Sequence, residues 1–275
     1  SGKGVYISET KEEGFLAVNE IFGGKFGVAQ QVLIEEFLDG EEMSYFIISD
    51  GKSYKKFQTA QDHKRVYEGD AGKNTGGMGA YSPSKLMNDE LDKKILKKII
   101  EPTLGGLTDL GSSYEGFLYA GLMIKNNDPY LIEYNVRMGD PECQTILPRL
   151  KNDLFDVIES CLDKNLKSIN FDWSNNQSLC IVLCSKGYPD KYINEVEIKN
   201  IDELDIDNSK NEFLFHAGTK IVDDKVYSNG GRVLNFVKTS ENFQISRNNV
   251  IKIINDLNWE NGFFRKDIGH RVIGS

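Results

Sequence analysis

The stretch LIEYNVRMGDPE, residues 131–142, decides how the rest of the chain is interpreted. It begins as an apolar strand and ends in charged and amide side chains. Because alternate side chains of a strand share a face, Glu133, Asn135 and Arg137 are predicted to point to one side. Two hard oxygen donors suit Mg²⁺ or Mn²⁺ held jointly with substrate phosphates, and Arg137 can grip a carboxylate or phosphate with two hydrogen bonds. On this motif alone, a solvated polar strand end is an equally good interpretation.

Length and composition limit the number of domains and the kinds of partner that the protein can have. The chain has 275 residues, of which 39% are hydrophobic, and this is enough for one large or two moderate domains. The formal net charge of −9 argues against nucleic acid or an anionic membrane as the main partner. The sequence contains neither a long apolar run nor a signal-like N-terminus, so we expect a cytoplasmic protein with no membrane partner.

Cysteine and histidine usage gives no sign of a zinc site, a disulfide framework or a catalytic triad. The cysteines form no C-x-x-C pair and are expected to be buried free thiols: Cys143, Cys161, Cys180 and Cys184. The histidines His63, His216 and His270 lack metal-ligand spacing, and we expect structural roles for the last two. No serine sits in a G-x-S-x-G turn.

Hydrophobic periodicity predicts a mixed α and β fold. Helices are predicted at 12–22, 88–110 with a kink near Pro102, 141–150, 154–162 and 241–257. Strands are predicted at 32–37, 42–49, 117–124, 130–136, 179–184, 213–216, 220–222 and 232–237. A hairpin turn is predicted at 126–129, and a polar linker at 170–177 marks a candidate domain boundary.

Candidate nucleotide ligands lie near the start of the chain. Lys3 stands between two glycines, which is typical of half a phosphate-binding loop. The predicted strand-turn-strand corner at 32–49 carries Glu35, Glu36 and Glu42. A ribose needs a carboxylate for its hydroxyls, and we choose Glu42 for that role. The alternative is that these glutamates only solubilise a hairpin.

The polar stretch at 55–82 concentrates cations, amides and glycines and is predicted to be a functional loop. Lys64 and Arg65 can meet phosphates there. The segment that begins at Asn74, NTGGMG, offers small residues and backbone amides to a substrate. A mobile surface loop is the alternative.

Together these motifs identify a family resemblance. The segments GKGV, VLIEEFLDGEE, QDHKR, NTGGMGAYSP, GFLYAGLM and IEYNVRMGDPE, followed by FHAGT, NGGRVL and FRKDIG, closely resemble glycinamide ribonucleotide synthetase, a member of the ATP-grasp superfamily. The resemblance covers essentially the whole chain in order. It implies an ATP-dependent ligase of purine synthesis that joins glycine to 5-phosphoribosylamine through glycyl phosphate.

The resemblance also implies roles for individual residues. Glu133 and Asn135 match the family's metal ligands, and Lys3 lies in its phosphate-covering loop. The adenine hinge matches Glu35, Glu36, Phe37 and Leu38, and Glu42 matches the ribose-binding carboxylate. Substrate or γ-phosphate contacts are expected from Asp62, Lys64, Arg65, Asn74, Arg137 and Asp140, and contacts to glycine or the amine are expected near Asp140 and Glu142. The family has Phe where this chain has Met138, a change that should leave the turn intact.

The resemblance implies an ATP-grasp fold with a small C-terminal mixed β/α lobe. We expect the remainder of the lid at 1–50, the catalytic core at 51–177 and the C-terminal domain at 178–275. The family's N-terminal domain has no counterpart in the sequence, so we expect a fragment that alone binds ATP weakly and turns over little. We also expect a monomer.

Two other functions stay open. One is another ATP-grasp ligase, such as a carboxylase component or a peptide-type ligase, with the same Glu-x-Asn strand. The other is a binding module that keeps the fold without catalysis.

Overall fold

The computed structural model describes residues 4–274, whose elements form two main antiparallel sheets with helices packed against them. The helices are α1 Lys11–Phe22, α2 Asp89–Ile95, α3 Glu101–Asp109, α4 Glu142–Ile146, α5 Leu154–Leu162 and α6 Phe243–Leu257. The strands are β1 Glu41–Asp50, β2 Tyr54–Lys56, β3 Gln61–Asp62, β4 Arg65–Tyr67, β5 Ala71–Asn74, β6 Gly79–Ser82, β7 Glu115–Lys125, β8 Asp128–Asn135, β9 Gln177–Ser185, β10 Glu212–His216, β11 Thr219–Val222, β12 Lys225–Ser228, β13 Arg232–Ser240 and β14 Gly262–Phe263.

The first sheet has the strand order β2-β1-β7-β8 and carries the segment that opened the sequence analysis. Its hairpin β7–β8 turns through Asn126 and Asn127, whose φ angles are 52° and 60°. Two positive φ values fit the tight turn whose twist matches that of paired strands, and asparagine tolerates them well. The predicted hairpin is therefore confirmed.

One face of this sheet is closed by the helical segment 89–109. Leu91, Ile95 and Ile99 pack there against alternate residues of β1 and β7, such as Tyr45 and Leu122. Between α2 and α3 the backbone forms a π-helical turn, Leu96–Ile100, and Pro102 is the second residue of α3. Because proline lacks an amide donor and its ring crowds the preceding turn, a local change of helical pitch is expected there. On the other face, Phe46 and Ile48 of β1 pack with residues of α4 and α5 in a second apolar cluster. Only the part of that face on β8, called the open face below, carries the polar side chains of Glu133 and Asn135.

The second sheet has the order β10-β13-β9-β6-β3, with β14 beside β9. Helix α6 packs on it and begins after Asn242, whose side chain accepts the backbone N–H of Ile245. The sheet draws strands from both sides of residue 177, since β3 and β6 precede it and the others follow. The domain limits given above stay a prediction.

Two sequence expectations are wrong. Residues 32–37 form no strand, because no other strand among residues 4–274 lies alongside them, and Leu33 and Ile34 are 78% and 83% exposed. An apolar run needs a hydrogen-bonded neighbour as well as β propensity. The polar stretch 55–82 is not a loop but contains β3, β4, β5 and β6, whose backbones pair in sheets.

The remaining helix predictions agree within two residues for α1, α5 and α6, while the predicted helix 141–150 is α4 followed by the 3-10 turn Leu147–Arg149. All four cysteines are free thiols, and all but Cys143 are buried. In the part of the chain that the structure describes, no helix has the length and apolar character needed to cross a membrane.

Candidate active site

Strand β8 brings its polar residues together as predicted. Asn135 Nδ2 donates to Glu133 Oε1 at 3.1 Å, and Arg137 Nη2 donates to Asn135 Oδ1 at 3.3 Å. Arg137 Nη1 also donates to the carbonyl of Met138 at 2.9 Å. Two oxygen donors and a guanidinium therefore form one exposed row on the open face of the first sheet.

The neighbouring strands extend this row. Register places Tyr119 opposite Asn135 and Gly121 opposite Glu133, and Ser44 of β1 lies opposite Gly121. Residues paired across strands share a face, so Ser44 and Tyr119 stand beside the candidate metal ligands. A Cβ at Gly121 would lie 3.4 Å from Glu133 Cγ, which is ordinary van der Waals contact.

Glu142, at the start of α4, is buried against the same face. Ser44 Oγ and Tyr119 Oη each lie 3.0 Å from Glu142 Oε1 and 2.9 Å from each other. Burial and the nearby Glu142 carboxylate raise the pKa of Tyr119, so its hydroxyl stays protonated and available as a donor. A Cβ at Gly139 would collide with Glu142 Oε2. The turn before α4 therefore needs glycine to admit this carboxylate.

Asp62 of β3 is a second buried carboxylate in the same cluster. Burial and the Glu142 carboxylate raise the pKa of Asp62 to about 7, although Lys64 acts in the opposite direction. Lys64 Nζ donates to the Glu42 carboxylate. Burial alone lowers the pKa of Lys64, but Asp62 and Glu42 outweigh it and the net shift is upward. Lys64 is therefore a permanent cation between acidic groups.

Asp140 is held by a residue that the sequence analysis did not select. Arg232 Nη1 donates to the Asp140 carbonyl at 2.7 Å, to its Oδ1 at 3.3 Å and to the carbonyl of Gly76 at 2.9 Å. This guanidinium ties β13, the NTGGMG segment and the turn after β8 to one another. The NGGRVL segment contains Arg232, but nothing in the sequence shows that a residue 92 positions away contacts Asp140.

The other predicted ligands lie apart from this cluster or outside the described residues. Arg65 and Asn74 face each other across the β4–β5 hairpin, where Arg65 Nη1 donates to the Gly72 carbonyl at 2.8 Å. The hinge residues Glu35, Glu36, Phe37 and Leu38 lie on the irregular segment before β1, and Phe37 is 64% exposed. Lys3 lies outside the described residues.

A second charged cluster links β3 and β4 to the end of the chain. His63 Nε2 accepts the backbone N–H of Gly269 at 3.0 Å, and His63 Nδ1 lies 3.4 Å from Asp70 Oδ1. Arg265 and Arg271 donate to the same Asp70 carboxylate at 2.9 and 2.6 Å. Nitrogen and oxygen atoms of His63, Asp70 and His270 lie within 4.8 Å of one another, but two guanidinium groups already occupy Asp70. This cluster is a structural ion-pair network rather than a metal centre.

The sequence and the fold also match known proteins. The family model described as the phosphoribosylglycinamide synthetase ATP-grasp (A) domain matches residues 1–143, more than half of the chain, and the C domain model matches residues 178–271. The chain belongs to the phosphoribosylglycinamide synthetase family. This result confirms the predicted family resemblance and the ATP-grasp fold.

Individual members of the phosphoribosylglycinamide synthetase family align along nearly the whole chain. The phosphoribosylamine–glycine ligase of Agrobacterium fabrum is 44% identical over 274 residues, which are 99% of this chain and 64% of that protein. The chloroplastic phosphoribosylamine–glycine ligase of Arabidopsis thaliana is 42% identical over 278 residues, 99% of this chain and 52% of that protein. The crystal structure of the Thermotoga maritima phosphoribosylamine–glycine ligase superimposes with a TM-score of 0.86 at 33% identity, covering 97% of this chain and 66% of that one. The chain thus spans about two thirds of the length of its bacterial relatives.

Proposed function

We propose that this chain carries the ATP-grasp and C-terminal parts of a ligase that joins glycine to 5-phosphoribosylamine. ATP phosphorylates the glycine carboxyl to give glycyl phosphate and ADP. The amine then attacks the acyl carbon, phosphate leaves, and one proton is released as the amide of glycinamide ribonucleotide forms. The relatives named above bear the name of this activity over 99% of the chain.

The observation that carries the proposal is the polar row on the open face of the first sheet. Glu133, Asn135 and Arg137 touch one another, and the buried carboxylate of Glu142 faces them across Ser44 and Tyr119. Phosphoryl transfer to a carboxylate requires compensation of negative charge at the phosphates. The oxygen atoms of Glu133 and Asn135 can hold a metal ion, and the guanidinium of Arg137 can bind a phosphate oxygen, so this row can compensate that charge.

The donor set fits a divalent cation of the Mg²⁺ type. Glu133 and Asn135 present oxygen atoms, and among residues 4–274 no His or Cys forms a metal-ligand group with them. Mg²⁺ commonly takes one or two protein oxygens together with substrate phosphates. We propose these two residues as the ligands and include Mn²⁺ as an alternative ion, since it shares the preference for oxygen. The bound ion would neutralise phosphate charge and polarise the transferred phosphoryl group.

The protein's own groups would orient the substrates. In this proposal Arg137 binds an anionic oxygen of phosphate or glycyl phosphate. Lys64, whose amine stays protonated, contributes a permanent positive charge beside Asp62. Glu42 receives the ATP ribose once Lys64 turns toward phosphate, and residues Glu35, Glu36, Phe37 and Leu38 contact adenine. Lys3 covers the phosphates, while Arg65, Asn74 and Asp140 contact substrate. ADP release by the full-length protein tests the function, and it should require both glycine and phosphoribosylamine.

The chief alternative is a different ATP-grasp ligase. A carboxylase component would show ATP hydrolysis that bicarbonate stimulates and glycine does not, so measuring ADP release with each compound separates the two activities. A binding module without catalysis would bind ATP but release no ADP under any combination. The intact contacts among Glu133, Asn135 and Arg137 support the catalytic alternative.

Two further expectations belong to the same proposal. We propose a monomeric enzyme that acts on small molecules and has no nucleic-acid partner. We propose a cytoplasmic location, although the Arabidopsis relative is named as chloroplastic.

A further inference from the structure

Two Asn-Gly pairs occur in the sequence, and the fold protects only one of them. They are Asn229–Gly230, in the turn between β12 and β13, and Asn261–Gly262, at the start of β14. Asparagine is a chemically labile residue. Its side-chain carbonyl is attacked most easily by the next backbone nitrogen when that next residue is glycine, which has no Cβ to hinder the approach.

The two glycine amides differ in their hydrogen bonds. Gly262 N–H donates to the carbonyl of Trp259 at 3.0 Å, and this glycine lies in a strand paired with β9. Among residues 4–274, Gly230 N–H has no acceptor, and the exposed side chain of Asn229 makes no hydrogen bond. A nitrogen that must leave a hydrogen bond before it attacks reacts more slowly, so the turn at Asn229 should react first.

We propose that Asn229 is a deamidation site whose isoaspartate product displaces Arg232 and lowers the activity of the enzyme. Gly230 N loses its proton to a base in solution and attacks Asn229 Cγ. The N–Cγ bond forms, the Cγ–Nδ2 bond breaks, and Nδ2 takes up a proton and leaves as ammonia. Water then opens the cyclic succinimide. Opening at Cγ gives aspartate, whereas opening at the main-chain carbonyl gives isoaspartate, in which the main chain continues through Cγ. The net reaction consumes water, releases ammonia and needs no oxidant.

The turn leaves no room for a longer main chain. A Cβ at Gly218 would lie 2.8 Å from Gly230 Cα, and a Cβ at Gly231 would lie 2.2 Å from Tyr188 Cδ2. Both residues of the turn are therefore closely packed against neighbouring segments. Upstream, Asn229 N–H donates to the Gly218 carbonyl at 2.7 Å. Isoaspartate inserts one carbon–carbon bond of about 1.5 Å between these fixed points, and the added length must displace the residues that follow.

Arg232 follows the turn directly and acts as a positioning residue. Its Nη1 donates to the carbonyls of Gly76 and Asp140 at 2.9 and 2.7 Å and to Asp140 Oδ1 at 3.3 Å. Tyr188, which covers Gly231, accepts the backbone N–H of Gly76 through its hydroxyl at 3.0 Å. The consequence for activity rests on the ligase function proposed above, in which Asp140 contacts substrate. Misplacing such a contact by about 1 Å can lower a rate about a hundredfold.

The first measurement follows the modification itself. The full-length enzyme is incubated at pH 7 and pH 8, and its peptides are analysed by mass spectrometry with a fragmentation method that distinguishes isoaspartate from aspartate. We expect Asn229 to deamidate about tenfold faster than Asn261, because the hydrogen bond of Gly262 must break before attack. Asn229 should react faster at pH 8, since attack requires loss of the Gly230 proton. Equal rates at the two asparagines would overturn the assignment.

The second measurement relates the modification to activity. ADP release with glycine and phosphoribosylamine should decline as isoaspartate accumulates at Asn229, and kcat/KM of the modified molecules should be about a hundredfold lower. Affinity for a non-hydrolysable ATP analogue should stay unchanged, because the side chain of Arg232 contacts Gly76 and Asp140 rather than a proposed nucleotide ligand. General unfolding would lower both quantities. Undiminished activity in molecules that carry the isoaspartate would overturn the displacement of Arg232.

Two variants separate the longer main chain from the new charge. Asn229→Gln keeps an amide but forms its larger cyclic imide far more slowly, so we expect it to start with wild-type activity and to keep it during incubation. Asn229→Asp carries the charge on a main chain of normal length and should begin close to wild-type activity. Asn261→Gln is the matched control and should lose activity as fast as the wild type does. An inactive, freshly prepared Asn229→Asp would assign the loss to charge and overturn the displacement.

Enzymatic repair gives a test that needs no variant. Protein L-isoaspartate methyltransferase with S-adenosylmethionine methylates the isoaspartate carboxylate, and the ester loses methanol to return through the succinimide to aspartate. Repair of the incubated enzyme should restore most of the lost ADP release, and unchanged activity after complete repair would overturn the proposal. A fresh enzyme that releases no ADP with both substrates overturns the ligase function and the effect on activity, whereas mass spectrometry alone decides whether Asn229 is the site.

Discussion

Asp62 and Asp70 lie eight residues apart, yet the fold gives them opposite environments. Asp70 accepts hydrogen bonds from Arg265 and Arg271 and lies beside His63, and these neighbours lower its pKa in spite of partial burial. Among residues 4–274 no arginine donates to Asp62, and burial together with the Glu142 carboxylate raises its pKa to about 7. A carboxylate matched by internal partners stabilises the fold, whereas one left unmatched at a cleft is available to a ligand.

The difference extends to the regions around the two aspartates. The Asp70 network joins the β3–β5 region to the end of the chain, since its arginines are 195 and 201 residues away. Arg265 is 1% exposed, and its Nε and Nη2 donate to Oδ1 and Oδ2 of Asp267 at 2.8 and 2.7 Å. The open face of the first sheet instead keeps exposed donors and acceptors at Glu133 and Arg137. The first region should respond to mutation in stability, and the second should respond in activity.

The largest expected effect is on activity, for Glu133→Gln in the full-length enzyme. Removing the charge of a proposed metal ligand should lower kcat about a thousandfold, or about 4 kcal/mol in activation free energy. Stability should not change, because the contact of Glu133 is with the neighbouring Asn135 on an exposed face. Steady-state kinetics over a range of Mg²⁺ concentrations, with a thermal melt, check both points. Near-wild-type kcat at low Mg²⁺ would exclude Glu133 as a ligand.

The next effect is on stability, for Asp70→Asn. The substitution removes the charge shared by Arg265 and Arg271, and breaking such a pair should reduce the free energy of unfolding by about 3 kcal/mol. Urea unfolding measures this change, and kcat per folded molecule should stay close to the wild-type value. Asp207→Asn is the control, because Asp207 pairs with Lys210 at an exposed site and should cost less than about 0.5 kcal/mol. A loss no larger than that of the control would show that the network contributes little.

Asp62, the last residue of β3, and the next residue, His63, should change the free energy of unfolding in opposite directions between pH 6.5 and 4. Burial lowers the pKa of His63 to about 4, so the unfolded chain takes up its proton first and stability falls as pH falls through this window. Asp62 acts in the other direction, since its folded pKa of about 7 lies above the unfolded value and the folded chain binds the proton first. The two contributions nearly cancel in the wild type.

Asp62→Asn should therefore reveal the His63 contribution. Relative to the wild type, we expect the variant to lose about 2 kcal/mol of unfolding free energy between pH 6.5 and pH 5, at about 1.4 kcal/mol per pH unit. Urea unfolding at several pH values gives the difference directly. Asp92→Asn should follow the wild-type profile. Parallel profiles for wild type and Asp62→Asn would show that Asp62 does not hold a proton in this range.

Sequence reasoning succeeded where the deciding contacts are local. Alternation along β8 placed Glu133, Asn135 and Arg137 in one row, and two asparagines were enough to predict the hairpin that supports them. The prediction of a strand at 32–37 was wrong. The apolar segment is long enough for a strand, but among the described residues no other strand pairs with it. Local pattern predicts propensity, while pairing depends on the rest of the fold.

Distant contacts were beyond the reach of the same reasoning. Arg232 meets Asp140 across 92 residues, and Gly269 donates to His63 across 206 residues. Glu142 was expected near the amine, but its burial against Ser44 follows from the pairing of β1 with β7 and the glycine at Gly139. The histidines are far apart in the sequence, yet the ring centroids of His63 and His270 lie 5.1 Å apart. Such groups become neighbours only through the long-range topology of the sheets.

The smallest expected effect is for Arg137→Lys, which keeps the positive charge and removes the planar fork. Arg137 uses two nitrogens at once, one toward Met138 and one toward Asn135, so lysine cannot reproduce both contacts. We expect kcat/KM for glycine to fall about tenfold, with stability unchanged because the side chain is exposed. Arg247→Lys on the surface of α6 is the matched control and should leave the kinetics unaltered. An unchanged rate for Arg137→Lys would mean that charge alone matters on the open face, and two-pronged recognition would then be ruled out as the role of this residue.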